Sequence, residues 1–526
     1  MKWVGGGVVV GLATLAVVLA VLAHRVEPFL RAHIVAELEE HFHARVELDG
    51  FHVSLADGLW AEGNGLRIWP PAQVAGVTVP GPGEPLINLD GFRFHAPLRY
   101  RPGKPIHIQV VELMGLHVKL PPKTHFGHPA AEKPGGGGGV KFEVDQIECA
   151  RAELVMGTSK PGKLPLEFPI AHFKLTNIGS DKSMGFDAEL TNPRPVGAIH
   201  ASGKFGPWLV DDPGESAING DYRFEHADLG GFKGIAGIMT SMGHYQGTLR
   251  DLVVDGEADV PDFRLTHFGN ALPLKTRFHA KVDGTNGDTW LEPVEATLGR
   301  SHFTAEGQIV RVIAAKDGEP PHSIGHDIAL TVDVDRARIE DFLRLASKGT
   351  TQLLTGDVRV KAKVHVPPGA APVHERMTVA GTFALGGARF ASEKIQGRIA
   401  ELSLRGQGRP DAVKTTDAMS IVSTMQGSFQ LGGGVVKLPA LDFTVPGAKI
   451  DLAGSYGVED GTLNFVGTAK MDASVSKIVG GWKGLLLKPA NRYFKRGGAG
   501  TEVPIHIEGT REAPKFGIDF DRMKTE

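Results

Sequence analysis

The chain has 526 residues and a single cysteine, Cys149, which rules out an intramolecular disulfide and any cysteine-rich metal site. Net charge is also scarce: 57 Lys and Arg face 60 Asp and Glu, giving −3 at pH 7 and a pI near 6.8. Nucleic acid calls for a strongly basic face or stripe, so it is not expected as a partner. The sequence holds no Gly-x-Ser-x-Gly elbow and no His-Glu-x-x-His. GTSKPGKL, at 157–164, nearly matches a phosphate-binding loop. Leu164, however, stands where a Ser or Thr would hold magnesium, and no strand and helix frame the segment. His41 and His43 follow Glu39 and Glu40, but residues two apart on a helix point about 200° apart and no third ligand is spaced to join them. They read as solvated helix-end residues. Asp333 and Asp335 would share one face of a strand, as paired carboxylates do in acid–base catalysis, though ordinary exposed strand carboxylates have the same spacing. No enzyme and no cofactor are expected; a hydrolase with an unrecognised site is the remote alternative.

What the chain has is glycine, 69 residues of it. Eight times a glycine sits within an alternating strand at the parity of the apolar side chains. Beyond Gly356 the even positions are Val358, Val360, Ala362, Val364 and Val366, and the odd positions are Asp357, Arg359, Lys361, Lys363 and His365. The phasing recurs around Gly203 with Phe205, Gly256 with Val254, Gly307 with Phe303, and Gly381 with Val379, Phe383 and Leu385. It returns around Gly454 with Leu452, Gly467 with Phe465, and Gly509 with Ile505 and Ile507. Such alternation predicts long strands with one wet and one apolar face. Exposing four such side chains would forfeit roughly 6 to 12 kcal/mol per strand, so the apolar face needs a cover. Glycine on that face marks bends or close approaches, which predicts a sheet curved repeatedly in one sense. The near-fifty-residue spacing of 203, 256, 307 and 356, with 381, 406 (Leu402, Leu404, Gly406) and 454 near half or whole multiples, reads as a degenerate hairpin repeat. Coincidence in a glycine-rich β protein is the alternative.

From Trp3 to Ala23 run twenty-one uncharged residues, with Gly11, Leu12, Thr14, Leu15, Val18 and Leu22 along the run. As a helix this segment is roughly 31 Å long and matches a bilayer core of about 30 Å, so residues 1–24 read as a transmembrane anchor. A cleaved signal peptide is the competing reading, with Val21-Leu22-Ala23 as the cleavage site, but the apolar run exceeds the usual h-region. Residues 25–120 read as an amphipathic helix, Glu27 to His43 with Leu30, Ile34, Leu38 and Phe42 at four-residue spacing, followed by a first β unit. Residues 121–139 are Pro- and Gly-rich, end in five glycines, and read as a linker or loop. A central β unit over 140–350 and a C-terminal β unit over 351–526 follow. Helices are expected at Asp228–His244, at Arg338–Lys348 and at Val475–Arg496, the last basic and amphipathic, suited to a sheet end or to an anionic membrane.

Several stretches resemble the AsmA family of envelope proteins. They are ARVELDGFHVSLADGLWAEGNGLRIW at 44–69, LTNPRPVGAIHASGKFGPW, TVPGAKIDLAGSYG, GTLNFVGTAKMDA, and VPIHIEGTREAPKFGIDF at 503–520. Their order, behind the anchor, carries the resemblance over nearly the whole chain. It implies a mainly β fold: a transmembrane helix followed by an elongated, curved antiparallel groove with an apolar concave face. It also implies an inner-membrane, single-pass protein whose bulk is periplasmic. Such grooves are similar to those of bridge-like lipid transfer proteins, which pass phospholipid between membranes. The residues allow this, because an acyl chain of about sixteen carbons gains on the order of 13 kcal/mol on burial. Groove candidates are Phe205, Val254, Phe303, Val358, Val360, Val364, Val379, Phe383, Leu385, Leu452, Phe465, Ile505 and Ile507. The same faces would equally serve dry sheet-on-sheet packing. The expected function is phospholipid binding or conduction in support of the outer envelope, with an outer-membrane or periplasmic protein as a possible partner at the C-terminal end. The alternative is an anchored scaffold for outer-membrane protein assembly that carries no lipid.

Overall fold

In the computed structural model the described residues are 27–39, 45–54, 59–69, 85–96, 106–120, 142–158, 162–178, 183–266, 270–314, 322–346, 354–479 and 500–518, apart from 29, 194, 208, 210–211, 233, 415–416 and 459. The anchor segment, His41, His43 and the Pro/Gly linker lie outside them, and no helix among the described residues is long and apolar enough to cross a membrane.

One sheet contains every described strand. Its first part is β1 (Val46–Ser54), β2 (Leu59–Ile68), β3 (Ile87–Ala96), β4 (Ile106–Leu120), β5 (Phe142–Met156), β6 (Leu166–Thr176), β7 (Met184–Pro193) and β8 (Val196–Phe205). The middle is β9 (Ala217–Asp228), β10 (Ile235–Ala236), β11 (Ile238–Thr248), β12 (Asp251–Leu265), β13 (Ala271–Val282), β14 (Thr289–Leu298), β15 (Ser301–Ala314) and β16 (His322–Arg338). The last part is β17 (Leu354–Val366), β18 (Thr378–Phe390), β19 (Ser423–Gly432), β20 (Val435–Val445), β21 (Ala448–Gly457), β22 (Thr462–Met471), β23 (Thr501–Thr510) and β24 (Pro514–Ile518). Strands pair in chain order, and β10 is an in-line extension of β11, since both pair with β12. Every pairing is antiparallel except β4–β5, which is parallel from Ile106 opposite Phe142 to Leu120 opposite Met156. The sheet therefore runs unbroken from before the linker to after it, and likewise from β16 to β17.

The sheet is curled like a half-barrel, and its glycines show why it can be. A Cβ on Gly203, Gly307 or Gly467 would lie 2.0 Å from a carbonyl oxygen of the adjacent strand, and on Gly220, Gly243, Gly381, Gly427 or Gly454 within 2.2–2.3 Å. No side chain fits there, so adjacent backbones close in on that face. Their spacing follows no fixed strand count, however: 203, 256, 307 and 356 fall on β8, β12, β15 and β17. The hairpins repeat without a period.

The helices are few. The helix over residues 30–39 (α1) is amphipathic as expected, and Leu30, Ile34, Val35 and Leu38 pack on Val46, Leu48, Phe92 and their neighbours. Helix α2 (Ile339–Leu345) falls inside the expected Arg338–Lys348. A single turn, α3 (Val373–Arg376), precedes β18. Helix α4 (Glu393–Gly406) corrects the strand phasing assigned to Leu402, Leu404 and Gly406. Ser392 caps it by accepting from the Ile395 amide, and Ile395, Ile399 and Leu402 face the sheet at helical spacing. Helix α5 (Val475–Val479) is the described part of Val475–Arg496. The helix expected at Asp228–His244 is absent: β9 ends at Asp228, a 3-10 turn covers Leu229–Gly231, and β10 and β11 follow. Gly230, Gly231, Gly234 and Gly237 each cost a helix about 1 kcal/mol, and from Ile238 the burial alternates as in a strand.

Candidate functional site

Register places one face of the sheet under a continuous apolar lining. Paired residues project to the same side in parallel and antiparallel ladders alike, so rows can be followed from strand to strand. One row runs from Phe51 through Gly63, Phe92, Leu113, Cys149, Phe173, Ala188 and Ala201 to Tyr222, Gly243, Gly256 and Phe278. It resumes after a bulge at Val294 and passes Ala305, Val332, Ala362, Gly381 and Phe429. After a second bulge it ends through Leu438, Gly454, Phe465 and Ile507 at Phe516. No charged residue interrupts it. The flanking rows are as apolar, one through Val254, Leu330, Val364 and Val379, the other through Phe303, Val334, Val360, Phe383, Leu452 and Ile505. At about 4.8 Å per strand the lining is roughly 105 Å long.

The opposite face carries the ions. Lys361 pairs with Asp333 at 2.9 Å, His279 with Asp255 at 2.7 Å, Arg277 with Glu257 at 3.0 Å, and Lys470 with Asp451 at 3.0 Å. Asp333 is thus engaged by Lys361, and the Asp335 charge acts on the same lysine. These side chains splay into solvent, with Lys361 77% and Asp221 79% exposed, as on a convex surface. On the apolar face the strongly exposed large side chains are Phe516 (57%) and Ile518 (44%) of the terminal strand β24. Helices α1, α2 and α4 all lie on the apolar side. The sheet is therefore a trough with an apolar interior. Twist makes a sheet saddle-shaped, which leaves shallow hollows on the charged face too; one, about 1310 Å³, opens among Glu257, Lys275, Arg277, Asp333 and Lys361.

All thirteen groove candidates from the sequence fall on the trough side by register. They are not equivalent. Val358 (1% exposed) and Leu385 (4%) are sealed beneath Ile339 and Phe342 of α2, with Val360 and Phe303 at the margin of that cluster. Leu452 and Ile505 border the cluster under α4. Val254, Val364 and Val379 remain half-buried, outside the helix-covered clusters. The candidates read from the sequence omit most of the aromatic lining, although its parity is readable there: Phe173, Tyr222, Tyr245, Phe278 and Phe429. Several rings of the lining rest over glycines. Phe92 lies opposite Gly63, Tyr245 opposite Gly220, and Phe278 opposite Gly256.

No family model, curated protein or solved structure matches this chain.

The two margins of the trough touch. The connection after β5 belongs to the margin where Met156 pairs with Leu166; the turn after β13 belongs to the other, where Val282 pairs with Thr289. Between β6 and β13 lie six pairings, about 29 Å of flat sheet. Yet Lys163 Nζ lies 3.0 Å from Asp288 Oδ1 and also donates to the Arg311 carbonyl. The lysine of the phosphate-loop look-alike is thus a tie between margins. The turn it meets is buried and internally bonded: Asp283 Oδ1 accepts from the Thr285 amide at 2.9 Å, Asp283 Oδ2 from Asn286 at 2.8 Å, and Asp288 Oδ1 from the Arg311 amide at 3.0 Å. A second contact joins the same margins farther on, where a Cβ on Gly234 would lie 3.1 Å from Val373.

Proposed function

We propose that this chain is a membrane-anchored periplasmic protein of the AsmA type that binds or conducts phospholipid along the apolar trough, supporting outer-membrane lipid homeostasis and envelope assembly. The observation that carries this reading is the uncharged row from Phe51 to Phe516, interrupted only at two bulges, with the ion pairs on the other face. Acyl tails lie along such a lining at about 0.8 kcal/mol gained per buried methylene, while head groups stay in water at the margins. No side chain acts chemically, so movement is passive and its direction comes from the membranes and partners at the two ends.

Native mass spectrometry with lipid extraction, on the full chain purified without added lipid, tests this. Stoichiometric phospholipid is expected, lost in Val364→Glu and kept in His365→Glu, which places the same charge on the other face. A folded, lipid-free protein would overturn the reading. The scaffold reading draws support from the terminal strand, where β24 pairs on one side only among the described residues and exposes Phe516 and Ile518, as a strand-adding partner requires; a lipid-free result would favour it.

A further inference from the structure

The trough lining is almost free of polar side chains, and the exceptions cluster. In its three central rows the described hydroxyls are Tyr222, Ser241, Tyr245, Thr276 and Tyr456, four of them between β9 and β13. Most of these phenols and alcohols are spoken for. Tyr222 and Ser241 hydroxyls are 3.1 Å apart, Ser241 donates to the Glu257 carbonyl at 2.9 Å, and Tyr456 is bonded to Arg511. The Tyr245 phenol is different: burial pushes its ionisation far up, with the Asp221 charge adding to the effect, and no hydrogen bond to a described protein group offsets this. It stands as a neutral donor, half-buried in an apolar wall. The tie from Lys163 to Asp288 and Arg311 bridges the margins over this same stretch of strands.

Resting on the lipid reading above, we propose that Tyr245 makes this stretch a holding station that reads one chemical feature of the lipid, the ester carbonyl that joins acyl chain to glycerol. A half-buried phenol in an apolar wall loses its water when a lipid covers it and then gains a partner only from an acceptor oxygen on the ligand, and leaving such a donor unpaired on burial is costly. Hydrocarbon tails pass this stretch without compensation, whereas an ester carbonyl docks. The lipid then pauses at one register along the trough instead of sliding freely.

The test is a competition on the full chain between diester and diether phosphatidylglycerols of equal chain length, read as bound ratios by native mass spectrometry. One hydrogen bond predicts about a fivefold to tenfold preference for the diester. Tyr245→Phe, which keeps the ring, is expected to reduce the ratio to about one without lowering diether binding. Tyr222→Phe, whose hydroxyl is already bonded to Ser241, is expected to keep the preference. Equal binding of the two lipids by the unaltered protein, or a preference surviving in Tyr245→Phe, would overturn the station and leave the lipid trough standing. Binding of neither lipid would overturn both.

Discussion

Replacing Lys163 with Met removes one partner of an ion pair whose side chains are only 13% and 5% exposed. Breaking a buried pair from one side typically costs about 3–5 kcal/mol, because the remaining charge is left uncompensated. Here Asp288 keeps the Arg311 amide at 3.0 Å, so the expected loss is lower, about 2–3 kcal/mol, and local to the tie. At about 1.4 kcal/mol per factor of ten, the amides of Thr285, Asn286 and Asp288, which are held by the turn's own side chains and carbonyls, should exchange hydrogen roughly 30- to 150-fold faster. The strand amides of β21 and β22, far along the sheet, should not change. Adding Asp288→Asn to Lys163→Met removes the stranded charge while leaving an acceptor for Arg311, and should restore most of the protection. If Lys163→Met alters exchange in the 283–288 turn by less than about threefold, the two margins are not held by this pair and the tie is incidental.

Glycine positions should divide sharply by face and space. Gly467→Val puts a Cβ against the Asp451 carbonyl at 2.0 Å and should lower stability by about 1–3 kcal/mol or more, whereas Gly397→Ala in α4, with nothing within 4 Å, should raise it by about 1 kcal/mol; denaturant midpoints compare the two. At the joint between β10 and β11, Asp262 accepts from the Ile238 amide at 2.9 Å, and that bond, with Arg264 beside it, holds its carboxyl below the usual range. A lowered carboxyl stabilises the fold above its unfolded value, near pH 4, and loses that contribution as pH falls through the folded value. Exchange at Ile238 should therefore quicken below about pH 4, and not in Asp262→Ala, which has no acceptor and where it should be fast throughout. The parallel β4–β5 pair requires the chain to return from Leu120 to Phe142, about 46 Å along the strand. Deleting the five glycines 135–139 leaves a connection long enough at about 3.5 Å per residue and should be tolerated, while deleting ten residues from 121–141 should abolish β4–β5 protection.

Alternation carried most of the fold. The parity of Val358, Val360, Val364 and Val366 against Arg359, Lys361 and Lys363 is a local property, and the register preserves it from β1 to β24 because strand pairing never moves a side chain to the other face. That is also why the apolar row crosses the parallel junction intact, Leu113 opposite Cys149, although the chain keeps its sense there instead of reversing it. What local pattern could not supply is the choice between helix and strand where both periods fit. Leu402, Leu404 and Gly406 alternate like a strand, but Ile395, Ile399 and Leu402 also recur like a helix, and the Ser392 cap with Gln396, bonded to the Phe390 amide and the Ala418 and Ile421 carbonyls, decides for the helix. The tie across the margins was equally hidden, since Lys163 and Asp288 are 125 residues apart and meet only because the sheet curls. The trough wall is thus written in the period of the sequence, while the features that make one stretch of it unlike another, the helix covers, the tie and the lone Tyr245 phenol, depend on contacts that the curl creates. On the lipid reading proposed above, selectivity along such a trough has to come from those features, because the wall itself would offer every acyl chain the same surface.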